Sequence, residues 1–367
     1  MKILLVHNHY QQPGGEDVVF AQEKQLLEDH GHQVVTYQRS NSEIEKYSNL
    51  RKLTVPKVAV WAVDSRQDIL NLIKRERPVL VHVHNTFIQI SPSVFSACAE
   101  AGVPVVQTLH NFRLLCPAAT FFRNGNVCEE CLESLWRSVR HGCYRESKSE
   151  TAMAALMLAI HRRWHTWDSI TSFITLTRFA HQKFVDAGFP AERVYVKPNF
   201  VFPDPGEKTD EGEFAAYVGR LSPEKGVGTL LEACKHLRCT VPIQIIGDGP
   251  LRASLERRAA QLNLQAVTFR GRLSRAETQL VIKRARCLIL PSECYESFPM
   301  AVVEAFACGT PVICSRLGAM QEIVIHEVSG LHFIAGNAED LAQRIDWIWE
   351  RPCEARTMGR TARKVFE

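Results

Sequence analysis

Short apolar runs alternate along this chain with longer stretches in which apolar residues recur every three or four positions. Ile3-Leu-Leu-Val6 lies within a strand predicted over Lys2–Val6. A helix is predicted over Asp17–His30, stopped by Gly31, then a strand over Gln33–Tyr37. The alternation continues with a helix over Asp64–Arg77, a strand over Val79–Val83, a helix over Pro92–Ala101 and a strand over Pro104–Leu109. Further on, predicted strands at Ser169–Leu176 and Arg193–Val196 flank a helix at Phe179–Ala187. Regular alternation of this kind predicts a parallel, doubly wound α/β sheet.

Three prolines and a glycine in Lys197–Gly206 break the pattern and predict a linker, placed at 199–206. The alternation then restarts. Strands are predicted at Glu213–Val218, Val241–Ile246, Val267–Phe269, Cys287–Leu290 and Pro311–Ile313, and helices at Val227–His236, Leu251–Leu262, Ala276–Ala285 and Ala338–Trp349. Two Rossmann-like domains, 1–198 and 207–367, are therefore expected to face a cleft, with ligands beyond the carboxyl ends of the strands.

With 367 residues, 46% hydrophobic and 23% charged, the chain has the composition of ordinary globular domains. No apolar run approaches the roughly 18 residues that suggest a membrane span. The apolar start is too short for a signal peptide, so a cytoplasmic location is expected. Twelve cysteines then argue for reduced thiols rather than a disulfide framework. The net charge of +4 equals the surplus within residues 136–165, where six basic residues face two acidic ones. Nucleic acid is not an expected partner.

The chemistry concentrates at predicted strand ends. Glu296-Ser-Phe-Pro-Met-Ala-Val-Val-Glu304 spans a strand-to-helix junction and sets two carboxylates eight residues apart. Pro299 suits the first turn of the helix, and the free amides of that turn suit a phosphate. Glu304, a turn inside, could accept hydrogen bonds from a ribose diol, with Glu296 at the other end of the same ligand. Taken alone, the pair is most simply a surface acid and a helix-face acid. Other motifs weigh against that. Gly219-Arg220-Leu-Ser-Pro-Glu-Lys225-Gly226 offers a fork and a point charge to phosphate oxygens. Pro13-Gly14-Gly15-Glu16 lets backbone approach a ligand, although a tight turn with an acidic helix start is as good a reading. Ile246-Gly247-Asp248-Gly249-Pro250 and Phe269-Arg270-Gly271 end further strands, and His110 follows the strand Pro104–Leu109. His82 and His84 alternate with valines and could share one face.

In this order and over nearly the whole chain, these motifs resemble those of retaining GT-B glycosyltransferases, in particular family 4. The resemblance implies a GT-B fold and transfer of a sugar from a nucleoside-diphosphate sugar to a glycan or lipid-linked acceptor. It implies catalytic roles for His110, Glu296, Arg220 and Lys225. It implies donor binding by Gly14, Gly15, Gly219, Arg220, Lys225, Gly247, Gly271, Glu296, Phe298, Met300, Ala301 and Glu304. No Asp-x-Asp pair is present, so no metal is expected in catalysis. A nucleotide-sugar 2-epimerase or hydrolase, or an inactive binding scaffold, is the alternative on the same fold. Family members usually close with a long helix crossing back to the first domain; here the sequence stops at Glu367, about where that helix would begin.

Two features lie outside these motifs. Cys116, Cys128, Cys131 and Cys143, in an insertion at about 114–146, have spacing that could hold a structural zinc, with His141 as an alternative ligand; free thiols are the other reading. Thr151–Trp167 is helix-prone with a basic, Trp-containing end. Met153–Ile160 is expected to be core, whereas Arg162, Arg163 and Trp164 are candidates for contact with the inner face of a membrane.

Overall fold

In the computed structural model, which describes residues 1–12 and 14–367, the chain divides into two compact units. One comprises Met1–Phe121 and Cys128–Pro198, the other Phe122–Val127 and Asn199–Glu367. Pro13, the first residue of the Pro-Gly-Gly-Glu motif, lies outside the described residues.

In chain order the strands are β1 (Lys2–His9), β2 (Gln33–Ser40), β3 (Leu80–Asn85), β4 (Val105–Leu109), the hairpin pair β5 (Phe122–Arg123) and β6 (Asn126–Val127), β7 (Ser172–Thr175) and β8 (Val194–Val196). The first unit is a six-stranded sheet in the order β2-β1-β3-β4-β7-β8, all neighbours parallel. Ile3 to Val6 are fully covered, as expected of a central strand with helices on both faces. The helix Lys148–Arg163 starts at a Ser147 cap and buries Met153, Ala154, Ala155, Met157 and Leu158, the core role expected for that stretch.

The second unit repeats the architecture with β9 (Phe214–Val218), β10 (Ile243–Ile246), β11 (Val267–Gly271), β12 (Ala285–Leu290), β13 (Val312–Ser315) and β14 (Gly330–Phe333). Their order is β11-β10-β9-β12-β13-β14, again parallel throughout. The strand order reverses between β9 and β12, and that is the position where a crevice opens beyond the carboxyl ends of an open sheet. Tyr217, Ile243, Ile245, Cys287, Ile289 and Ile313 form its core, closed by Leu341, Ala342, Ile345 and Ile348 from the helix Ala338–Glu350.

One further helix, Pro352–Phe366, follows Arg351; the sequence reading ended its elements at Trp349. Its proline occupies the first turn, where the missing N–H costs nothing. Ala355, Met358, Gly359 and Ala362 are its buried residues, and it packs on the helix Met300–Ala307. A Cβ on Gly359 would sit 2.1 Å from the Gly309 carbonyl oxygen, so only glycine allows this approach. Arg363 then forks onto Asp204, with Nη1–Oδ1 at 2.7 Å and Nη2–Oδ2 at 2.5 Å, and donates to the Ala307 carbonyl at 2.6 Å.

Candidate functional site

In the second unit the loops after β9, β10 and β12 converge because glycines let them touch. A Cβ on Gly247 would lie 1.8 Å from the Gly219 oxygen, and one on Gly226 1.9 Å from the Pro291 oxygen. Gly247 donates its N–H to the Gly271 carbonyl at 2.9 Å, tying the end of β11 to the same group. Gly219, Gly247 and Gly271 are therefore architectural members of one surface.

Lys225 and Glu296 are brought together on this surface, with Nζ donating to Oε1 at 2.6 Å. Ser292 donates to the same oxygen at 2.6 Å. Burial alone would lower the lysine pKa, but the Glu296 carboxylate outweighs it and holds Lys225 above its ordinary range. The exposed Arg220 side chain has no partner among the described residues, while its carbonyl accepts from the Tyr217 hydroxyl at 2.7 Å. The loop is thus fixed while its guanidinium stays available. Phe298 is held through its carbonyl by Asn199 Nδ2 at 2.9 Å.

Met300 opens the eight-residue helix Met300–Ala307, every residue of which is buried. Pro299 occupies the N-cap position rather than the first turn, its backbone extended. Val302 N–H bonds back to the Pro299 carbonyl at 3.1 Å, leaving the Met300 and Ala301 amides without intrahelical partners. Glu304, one turn in, is buried, and its carboxyl has no hydrogen-bond partner among the described residues. Burial, opposed weakly by Arg275, pushes it up to about 7. A buried carboxyl without a donor is costly unless a ligand supplies one.

In the first unit a histidine network occupies the carboxyl ends of β1, β3 and β4. His84 Nδ1 lies 3.0 Å from His110 Nε2, and the two rings are nearly parallel at 5.2 Å. His82 and His84 do share a face, their rings 4.4 Å apart. His82 is held by Glu23 at 2.7 Å and Thr108 at 2.8 Å. Burial would raise the Glu23 pKa, but His82 and Lys197 outweigh it and hold it at about 2. Burial, aided by His7, pulls His110 down to about 3, so the ring is neutral at physiological pH. Gly15 opens the helix Gly15–Asp29, and the Gly14 N–H is already committed to Asp17 Oδ2 at 2.6 Å. Asp17 Oδ1 also meets His7 at 2.8 Å and His9 at 2.7 Å. Its carboxylate is the hub of the loop.

Of the candidate zinc ligands, the Cys116 and Cys131 thiols hydrogen-bond each other, and Cys128 and Cys143 lie near enough to act on Cys131. Amides of Phe121, Ala118 and Ala119 also point at the Cys116 sulfur and, with Cys131, lower its pKa. Arg162 is not free for a membrane, since it donates to the Leu114 carbonyl at 2.8 Å. Trp164 is exposed, as is Arg163. Sequence reasoning missed Ser292, Arg275, Asp17, Glu23 and the partnership of His84 with His110. The alternating His82 and His84 of β3 were the one signal that pointed to the network.

Residues 13–204 match the family described as Glycosyltransferase Family 4, and residues 201–365 match Glycosyl transferases group 1. The D-rhamnosyltransferase WbpZ of Pseudomonas aeruginosa is 32% identical over 151 residues, 41% of this chain and 39% of its own length. An uncharacterized glycosyltransferase of Methanocaldococcus jannaschii is 36% identical over 138 residues, 37% of this chain and 38% of its own. Glycogen synthase of Mycobacterium tuberculosis is 29% identical over 293 residues, 78% of this chain and 64% of its own. The matches thus span 38% to 64% of the length of these curated relatives. Among solved structures, Anabaena HepE in complex with UDP-glucose has a TM-score of 0.70 at 19% identity, covering 100% of this chain and 94% of that one. Sucrose-phosphate synthase from Thermosynechococcus elongatus has a TM-score of 0.73 at 19% identity, with the same coverage. At such identities the likeness is one of fold.

Proposed function

Because this chain belongs to glycosyltransferase family 4, we propose that it transfers a sugar from a nucleoside-diphosphate sugar to a glycan or lipid-linked acceptor, with retention at the anomeric carbon. The observation that carries this reading is the grouping at the strand ends of the second sheet. It combines an available Arg220, a Lys225 shared with Glu296, and a buried Glu304 carboxyl that lacks a donor. Diphosphate, sugar hydroxyls and ribose diol are the groups that satisfy these three in turn.

The C1–phosphate bond breaks and the bond from the acceptor oxygen forms on the same face of the sugar, while the acceptor proton passes to the departing phosphate. Arg220, Lys225 and the first amides of the Met300 helix stabilise the charge that develops on that phosphate. Glu296 orients the donor sugar, Glu304 holds the ribose, and His110 hydrogen-bonds a sugar hydroxyl. The cations act where a divalent metal serves in other transferases. Crystals of HepE and of Staphylococcus aureus TarM hold UDP, so UDP is the first nucleotide to test.

Two further proposals concern the first unit. Cys116, Cys128, Cys131 and Cys143 hold a structural zinc; of these, Cys116, next to Cys131 and fed by backbone amides, is the one already favoured as a thiolate. Residues 136–165, with Trp136 and Trp164 exposed, touch the inner face of the cytoplasmic membrane; no helix among the described residues is long and apolar enough to cross one.

The test is thermal unfolding against UDP and other nucleoside diphosphates, followed by transfer assays on Glu296→Gln. A ligand of the native state must raise the midpoint. The variant is expected to keep its nucleotide shift and to lose transfer by about a hundredfold or more. Transfer at the unaltered rate would remove Glu296 from the mechanism, and turnover of donor without any acceptor would favour an epimerase or hydrolase.

A further inference from the structure

We infer that His84 is a positioning residue for His110, fixing the His110 proton on Nδ1 and so making that ring a hydrogen-bond donor toward the sugar. The second half of this statement rests on the function proposed above.

His84 is the next-to-last residue of β3, and His110 follows directly on β4, the neighbouring strand. Their facing nitrogens, Nδ1 and Nε2, are 3.0 Å apart. Between two neutral imidazoles one nitrogen must donate and the other accept. The second nitrogen of His84 decides which. Nε2 is buried and has no partner. A proton there would be a buried N–H with no hydrogen-bond acceptor among the described residues. A proton on Nδ1 is instead donated to His110, and only a lone pair goes unmet, which is the commoner shortfall in folded proteins. His110 Nε2 is therefore the acceptor, and the neutral ring carries its proton on Nδ1.

That Nδ1 has no partner among the described residues, and His110 keeps some exposure. It can give an N–H to a ligand oxygen, and it cannot take a proton from an acceptor hydroxyl at that atom. The arrangement is braced from behind. His82 packs on His84 at 4.4 Å and is itself locked between Glu23 and Thr108. Burial keeps both rings of the pair neutral, so their contact joins one N–H to one lone pair.

The experiment is nitrogen-15 imidazole NMR on the full chain, unaltered and as His84→Phe and His84→Asn, alongside transfer kinetics. Phe keeps the ring stack but has no N–H; the Asn amide can donate from about the place of Nδ1. We expect His110 to be protonated on Nδ1 in the unaltered chain and in His84→Asn, and mixed in His84→Phe. We expect kcat to fall about tenfold in His84→Phe at unchanged nucleotide affinity, and to recover largely in His84→Asn. A His110 protonated on Nε2 in the unaltered chain overturns the inference, as does a His84→Phe chain with unaltered tautomer and rate. Absence of any sugar transfer by the unaltered chain overturns the donation to a sugar, while the spectra still decide the tautomer.

Discussion

Burial lifts the Glu304 carboxyl above the range in which most carboxyls ionise. Its folded pKa is raised from 4.5 to about 7 by burial, so between those values the folded chain binds more protons than the unfolded one. Stability from this group is therefore fully present below the lower value and lost as pH rises to the upper one, a change of about 3 kcal/mol. A ribose diol would donate to the ionised form and reverse the loss. UDP should accordingly bind more tightly at pH 8 than at pH 6 in calorimetric titration. Glu304→Gln should be more stable than the unaltered chain at pH 8, bind UDP about tenfold more weakly there, and lose that part of the pH dependence. Equal affinities in the two proteins would take Glu304 out of the ribose site. The position of this residue was legible in the sequence as the second acid of a spaced pair. Its protonation was not, because it depends on the walls that tertiary packing builds around it. The Lys225–Glu296 pair was hidden for the same reason, since nothing local connects two residues 71 positions apart.

Among the elements, the long periodic ones were legible to within a few residues. The expected helix Asp64–Arg77 is observed as Val63–Glu76, and the expected strand Gln33–Tyr37 as Gln33–Ser40. Short helices such as Asn49–Lys52 and Glu130–Glu133 were not, since four residues carry too little periodicity to register. The helix Pro352–Phe366 was missed because its opening proline looks like a stop. The segment bearing Cys116, Cys128, Cys131 and Cys143 has only short elements of its own, so the proposed zinc should be a large part of what orders it. We expect about one zinc per chain by elemental analysis, and a lowered melting temperature after chelation that zinc alone restores. A chain isolated without zinc, and indifferent to chelators, would return the four cysteines to free thiols.

At the scale of the whole molecule, the two units differ in what acid does to them. His7, His84, His110 and His161, all in the first, have pKa values lowered chiefly by burial, against one ring there, His9, whose pKa Asp17 raises. The unfolded chain takes up protons at these rings near 6.5 while the folded one does not, so their contribution is lost as pH falls below that value. The second unit has one such ring, His332, and in Glu304 a group whose contribution grows in the same direction. Scanning calorimetry from pH 7.5 to pH 5 should therefore show the first unit's transition moving down faster than the second's. Parallel movement would mean that these histidines do not govern acid stability. Neutral histidines are buried mostly in one half of the chain, so acid pulls the two unfolding transitions apart. As the transitions separate, the van't Hoff enthalpy falls below the calorimetric enthalpy, and in mild acid no single melting temperature characterises the protein.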